Sequence, residues 1–141
     1  MKRRSSLPKG VLSRLPVASR YLSRHALVEF ACLFGSLARR ATTTTSDIDI
    51  AVYLSPAANK TKAKMEILGV LTDIFQTDEI DLVVLNTAPI SLRGRILKDR
   101  WTIAERNPFL RHRYESLTMR EFFDFSVRET AILEGRYLHG R

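Results

Sequence analysis

The chain has 141 residues, 45% of them apolar, and a formal net charge of +8. That length suits one domain around one hydrophobic core, and no apolar run approaches the ~20 residues needed to span a bilayer. Cys32 is the single cysteine, so an intramolecular disulfide is excluded; this leaves the redox compartment unconstrained and is compatible with the cytoplasmic location expected here.

The charge is unevenly placed. Lys2, Arg3, Arg4, Lys9, Arg14, Arg20 and Arg24 precede the first acidic residue, Glu29. The remaining sixteen Lys and Arg nearly balance fifteen Asp and Glu. The basic character therefore belongs to an N-terminal arm, read as a solvated tail leading into a helix; such an arm can also mimic a transit peptide or touch nucleic acid. No aromatic-basic repeat supports direct nucleic-acid binding. The three histidines, His25, His112 and His139, lack the spacing of a zinc site and are expected at the surface.

Residues 1–10 read as a disordered basic lead, and residues 11–141 as a single domain. Val11, Leu12, Leu15, Ala18 and Leu22 follow helical spacing, with the regular part expected to begin near Pro16. Val28 to Phe34 reads as a buried strand that makes Cys32 a core residue. Ser36 to Ala41 reads as one or two helical turns with Ser36 as N-cap, and Thr42 to Ser46 as a loop. Asp47 to Leu54 is a second strand, with Ile48, Ile50, Val52 and Leu54 on one face and Asp47 and Asp49 on the other. Asn59 to Gln76 is a helix, with Met65, Leu68, Leu71, Ile74 and Phe75 expected on its apolar side. Glu79 to Leu85 is a third strand, apolar except at Asp81 and expected to be covered on both faces. Ile90 to Lys98 reads as a helix and Trp101 to Ala104 as a short edge strand. From about Pro108 to Leu138 the pattern is helical, with a break expected near Leu117-Thr118. The fold class is α/β (α+β): a small mixed sheet flanked by helices, with a C-terminal helical segment.

The chemistry lies in three places. Phe34-Gly35-Ser36 is a small turn whose backbone N–H groups suit a phosphate. Ten residues on, Ser46-Asp47-Ile48-Asp49 places two carboxylates on one strand face, costly unless a cation lies between them. Asp81 is a lone charge in an apolar strand, and it makes sense if that strand neighbours the Asp47/Asp49 strand. Three carboxylates suit Mg²⁺, which prefers hard oxygen ligands and retains waters and substrate phosphates. Each piece also has a plainer explanation: a helix cap, a turn entering a strand, an exposed strand start. Their order and spacing together favour the functional reading. No Walker phosphate loop and no EF-hand loop is present.

Gly35-Ser36, then Asp47-x-Asp49, then Asp81 in a later strand resembles the polymerase-β-type nucleotidyltransferases. Within them the chain resembles the minimal nucleotidyltransferases, the MntA-type antitoxins paired with HEPN-domain toxins. That narrower likeness draws on Asp81-Leu82-Val83 with Asn86 and Pro89, Arg95-Ile96-Leu97, Arg113-Tyr114-Glu115 and Phe123-Asp124-Phe125. The resemblance implies Asp47, Asp49 and Asp81 as catalytic residues and Mg²⁺ ligands. It implies that Gly35, Ser36, Arg39 and Ser46 bind the nucleotide. The implied reaction moves AMP from ATP to a tyrosine hydroxyl of a HEPN ribonuclease toxin, and Asp81 helps to deprotonate that hydroxyl. A small-molecule nucleotidyltransferase and a toxin inhibitor acting by contact alone are the alternatives. The roughly thirty residues after Pro108 are few for a separate acceptor domain, which favours a protein acceptor. Arg40 and Arg100 stand where relatives often carry glycine, so both turns are expected to be reshaped.

Overall fold

The computed structural model describes residues 10–39 and 47–138, with side chains up to residue 135. The elements run α1 (Val11–Arg24), β1 (Val28–Phe34), α2 (Gly35–Ala38), β2 (Ile48–Leu54), α3 (Lys60–Phe75), β3 (Ile80–Val84), α4 (Ile90–Asp99), β4 (Trp101–Glu105) and α5 (Pro108–Leu138). The lead before Gly10, the Thr-rich loop, Arg40 and His139 lie outside the described residues.

The strands form one mixed sheet in the order β3-β2-β1-β4. β1 pairs antiparallel with β2 and with β4, whereas β2 and β3 run parallel. The parallel step requires a crossover, and α3 supplies it. Asn59 caps α3 by accepting from the Lys62 N–H at 3.0 Å, and Gln76 ends it in the left-handed region at φ 59°.

Strand alternation divides the core into two layers. Leu33, Ile48, Ile50, Val52, Leu54, Leu82 and Val84 pack under α1 and α3 with Leu22, Ile67, Leu71 and Phe75. On the other face Phe30, Cys32 and Ala51 pack with Leu85, Ile96 and Leu97, closed by Tyr53 and Tyr114. Burial pushes the Cys32 thiol up to about 12, so it is inert core. Phe30 and Tyr53 stack at 5.2 Å, Tyr114 packs against both, and the Tyr114 hydroxyl donates to the Leu85 carbonyl at 2.8 Å. Asn86 takes both main-chain groups of Leu54, each at 2.8 Å, and so pins the end of β2.

Several expectations change. α1 begins at Val11 and runs through Pro16. The proline removes one hydrogen bond, to a carbonyl on the exposed Leu12 turn, while burial of Val11, Leu15, Ala18 and Leu22 holds both sides. On α3 the expected Leu71 and Phe75 are buried and Leu68 and Ile74 pack against the core, but Met65 is 64% exposed and Ala63 and Ile67 are buried in addition. β3, expected to be covered on both faces, is an edge strand covered mainly on one: Leu82 and Val84 are buried, while Asp81 on the other face is exposed. α5 is continuous through Leu117-Thr118. Thr118 is buried and accepts from Arg93 at 3.3 Å, so this turn is anchored where the sequence reads as a break. Ser36 is not an N-cap, because the cap position falls on Phe34. His25 is not a surface residue: its Nδ1 accepts the Leu27 N–H at 3.1 Å and its ring meets Tyr21 edge-on.

Candidate active site

β1 ends at Phe34, whose register partner on β2 is Asp49. Asp49 is in turn the register partner of Asp81 on β3. Parallel partners point to the same sheet face, so the two carboxylates lie side by side on neighbouring strands. Asp47 is two residues before Asp49 and just ahead of β2. The expected trio is thus brought to one end of the sheet, where β1 finishes and β2 and β3 begin.

Gly35 turns the chain across the top of Asp49. Its φ of +75° lies in the left-handed region, and a Cβ placed on it would stand 2.1 Å from Asp49 Oδ2. Glycine is therefore required twice, for backbone conformation and for closeness to the carboxylate. Ser36 follows as the second residue of α2, half-exposed beside this turn.

The electrostatics match the geometry. The Asp49 carboxyl is pushed up to about 6, first by burial, then by the negative charges of Asp81 and Asp47, with Arg39 opposing. Like charges held together in a half-buried place disfavour ionisation, and a cation relieves that penalty. Among the described residues no group of three His, Cys, Asp or Glu side chains forms a closed metal cage. The donor chemistry still fits Mg²⁺, which binds through one or two carboxylates and completes its shell with water and phosphate.

The nucleotide-binding expectations fare unevenly in position. Gly35 and Ser36 border the carboxylates. Arg39 ends α2, and its guanidinium donates to Asp99 at 3.0 Å, which ties α2 to the end of α4. Ser46 lies outside the described residues. Arg100 does not need a glycine-like turn, since its φ is −64°. Its guanidinium instead holds Glu115 through bonds of 2.6 and 2.9 Å. Arg111 also binds Glu115, at 3.0 Å, and pairs with Glu105. This buried-carboxylate network fixes α5 to β4 and α4 behind the site. The sequence offered only Arg113-Tyr114-Glu115 as a sign of it, and nothing in the spacing identifies Arg100 as the partner.

The sheet order, the glycine turn and the paired carboxylates define a nucleotidyltransferase architecture. The polymerase beta nucleotidyltransferase family model matches residues 18–109, and the chain belongs to that family. In fold it is similar to a chain of a toxin-antitoxin complex crystallised with AMP-PNP (TM-score 0.69, 21% identity, over 84% of this chain and 95% of that one). It is similar also to a chain of the tri-AMPylated Shewanella oneidensis HEPN toxin in complex with MNT antitoxin (TM-score 0.64, 19% identity, 85% and 96%). A third likeness is to a chain of the MntA-HepT toxin-antitoxin (TM-score 0.62, 19% identity, 90% and 97%). At these identities the likeness is one of fold. No curated protein matches the chain in sequence. Among the described residues no helix is long and apolar enough to cross a membrane.

Proposed function

We propose that this nucleotidyltransferase moves AMP from ATP to a tyrosine hydroxyl of a HEPN-type toxin and acts as its antitoxin. The observation that carries the reading is the register pairing of Asp49 with Asp81, beside the Gly35 turn and at an open sheet edge. Solved complexes of similar fold contain an ATP analogue in one case and an AMPylated HEPN toxin in another.

Asp47, Asp49 and Asp81 would hold Mg²⁺, which when bound supplies positive charge against the phosphates and the developing charge at the α-phosphorus. The Gly35 and Ser36 N–H groups and the Ser36 hydroxyl orient the triphosphate. The tyrosine oxygen forms a bond to the α-phosphorus, and the bond to the bridging oxygen of the β-phosphate breaks to release pyrophosphate. A phenol with pKa about 10 needs help to lose its proton at neutral pH. Asp81 accepts that proton, and its exposed position on an edge strand admits a protein-sized acceptor. Asp49, more enclosed, stays with the nucleotide.

The experiment combines this protein, Mg²⁺-ATP and a HEPN toxin, with intact mass as the readout. Addition of whole adenylyl groups to a toxin tyrosine is expected, together with loss of toxin activity. The Asp47→Ala/Asp49→Ala double variant should fold and add nothing. Neutralisation of the toxin by wild type with no mass change would replace transfer by inhibition through contact.

A further inference from the structure

The open edge of β3 is flanked by a cavity of about 400 Å³, lined by Asp81 to Val84, by Lys60, Thr61 and Lys64 of α3, and by the Thr87-Ala88 turn with Leu92. The main chain of this edge is set by the parallel ladder. Glu79 gives its carbonyl to the Ile48 N–H, and the Leu85 N–H reaches the Val52 carbonyl. Parallel pairing uses every second residue, so Asp81 and Val83 bond to β2 while Ile80, Leu82 and Val84 turn their main chain outward, the Val84 carbonyl there accepting the Thr87 N–H at 3.4 Å. No further strand lies beyond β3 among the described residues.

The two ends of the groove differ in charge. Asp81 lies at the end where β2 and β3 begin. Lys60 and Lys64, one helical turn apart, stand toward the other end, because α3 starts after β2 has finished. Neither lysine has an ion-pair partner among the described residues. From Asp81 to Val84 is about 10 Å, three residues of extended chain.

We propose that β3 docks the acceptor as an added strand: an extended segment that places its tyrosine at Asp81 and an acidic residue three positions away, on the α3 face of the sheet, at Lys60 and Lys64. The proposal rests on the transfer reading for the role of the tyrosine, and it adds where and how the acceptor binds. Strand addition gives affinity through the main chain and specificity through side chains at alternate positions. The nucleotide approaches from the Gly35 side of Asp49, so the β3 side is the one left for the acceptor. A peptide suits this edge better than a nucleic acid, because its own main chain repeats N–H and C=O groups at the strand spacing and can continue the ladder. Among the described residues the groove also has no aromatic side chain on which a base could stack.

The probes are two synthetic peptides, each with a central tyrosine and charged residues three and five positions to either side, glutamates in one and lysines in the other. Fluorescence anisotropy reads affinity, hydrogen exchange reads the Leu82 and Val84 amides, and labelled ATP reads transfer. The glutamate peptide should bind about tenfold tighter and protect both amides; Lys60→Glu/Lys64→Glu should reverse the preference while Mg²⁺-ATP affinity stays within about twofold. A glutamate peptide that binds, protects both amides and gains no AMP upholds the docking strand and refutes the transfer reading. Equal binding of the two peptides, a preference that survives the charge reversal, or unprotected amides overturns the proposal, since the lysines would then only guard an edge against pairing. Protection by a uridine oligonucleotide where neither peptide protects overturns it in favour of nucleic acid.

Discussion

Gly35→Ala isolates the contact on which the site is built. Two costs arise, and they fall on different observables. The backbone at φ +75° disfavours any side chain by about 1–2 kcal/mol. The new methyl would stand 2.1 Å from Asp49 Oδ2, whereas non-bonded heavy atoms settle at about 3.5 Å. The carboxylate or the turn must therefore move by roughly 1 Å, and a misplacement of that size at a reacting centre costs about 100-fold in rate. Asp49 is half-exposed and can swing aside, so the stability loss should stay near the backbone cost. Urea unfolding should show a loss of about 1–2 kcal/mol, and steady-state transfer should fall about 100-fold. In an Asp49→Ala background most of the steric conflict is gone, and Gly35→Ala should cost only the backbone part. A variant that transfers AMP at the wild-type rate would refute the tight packing of turn on carboxylate. An equally large activity loss with no change in stability would refute the left-handed conformation.

Asp49→Asn should stabilise the protein at pH 7.5 without Mg²⁺. The folded carboxyl titrates at about 6, above its unfolded value of about 4, so the fold binds more protons between those values and wild-type stability falls as pH rises through that window. The full shift corresponds to roughly 3 kcal/mol, which solvent screening of a half-exposed group reduces to about 1; the asparagine variant should not show the fall, and identical pH profiles in urea melts would contradict this. Gly94→Ala would drive a methyl to 2.1 Å from the Phe122 ring and should cost about 1–3 kcal/mol by overpacking α4 against α5. Phe122→Ala in the same chain should remove that conflict, and additive losses in a double-variant cycle would argue against it. Glu115→Ala leaves Arg100 and Arg111 without their shared carboxylate and should lower stability by about 2–3 kcal/mol, measured by thermal unfolding; an unchanged Tm would mean that the network is dispensable.

Local chemistry made most element boundaries legible. Val28 to Phe34 is apolar apart from Glu29 and is β1 to the residue. Asn59 and Gln76 bracket α3 as cap and left-handed stop. The glycine turn, Asp47-x-Asp49 and the misplaced charge of Asp81 mark the candidate site in the sequence itself, because a carboxylate in apolar surroundings needs a reason. What failed was whatever depends on distant neighbours. Pro16 stays inside α1 because α1 packs on the sheet and α3, and α5 crosses Leu117-Thr118 because Arg93 reaches Thr118 from α4. Met65 and Ile67 are equally apolar in sequence, and only the sheet beneath α3 decides that Ile67 goes inside. The pairing of Asp49 with Asp81 is the clearest case. Strand periodicity fixes which face each residue takes, but a parallel register is set by a crossover of many residues. Only the folded sheet could align those two carboxylates and leave β3 open at the edge.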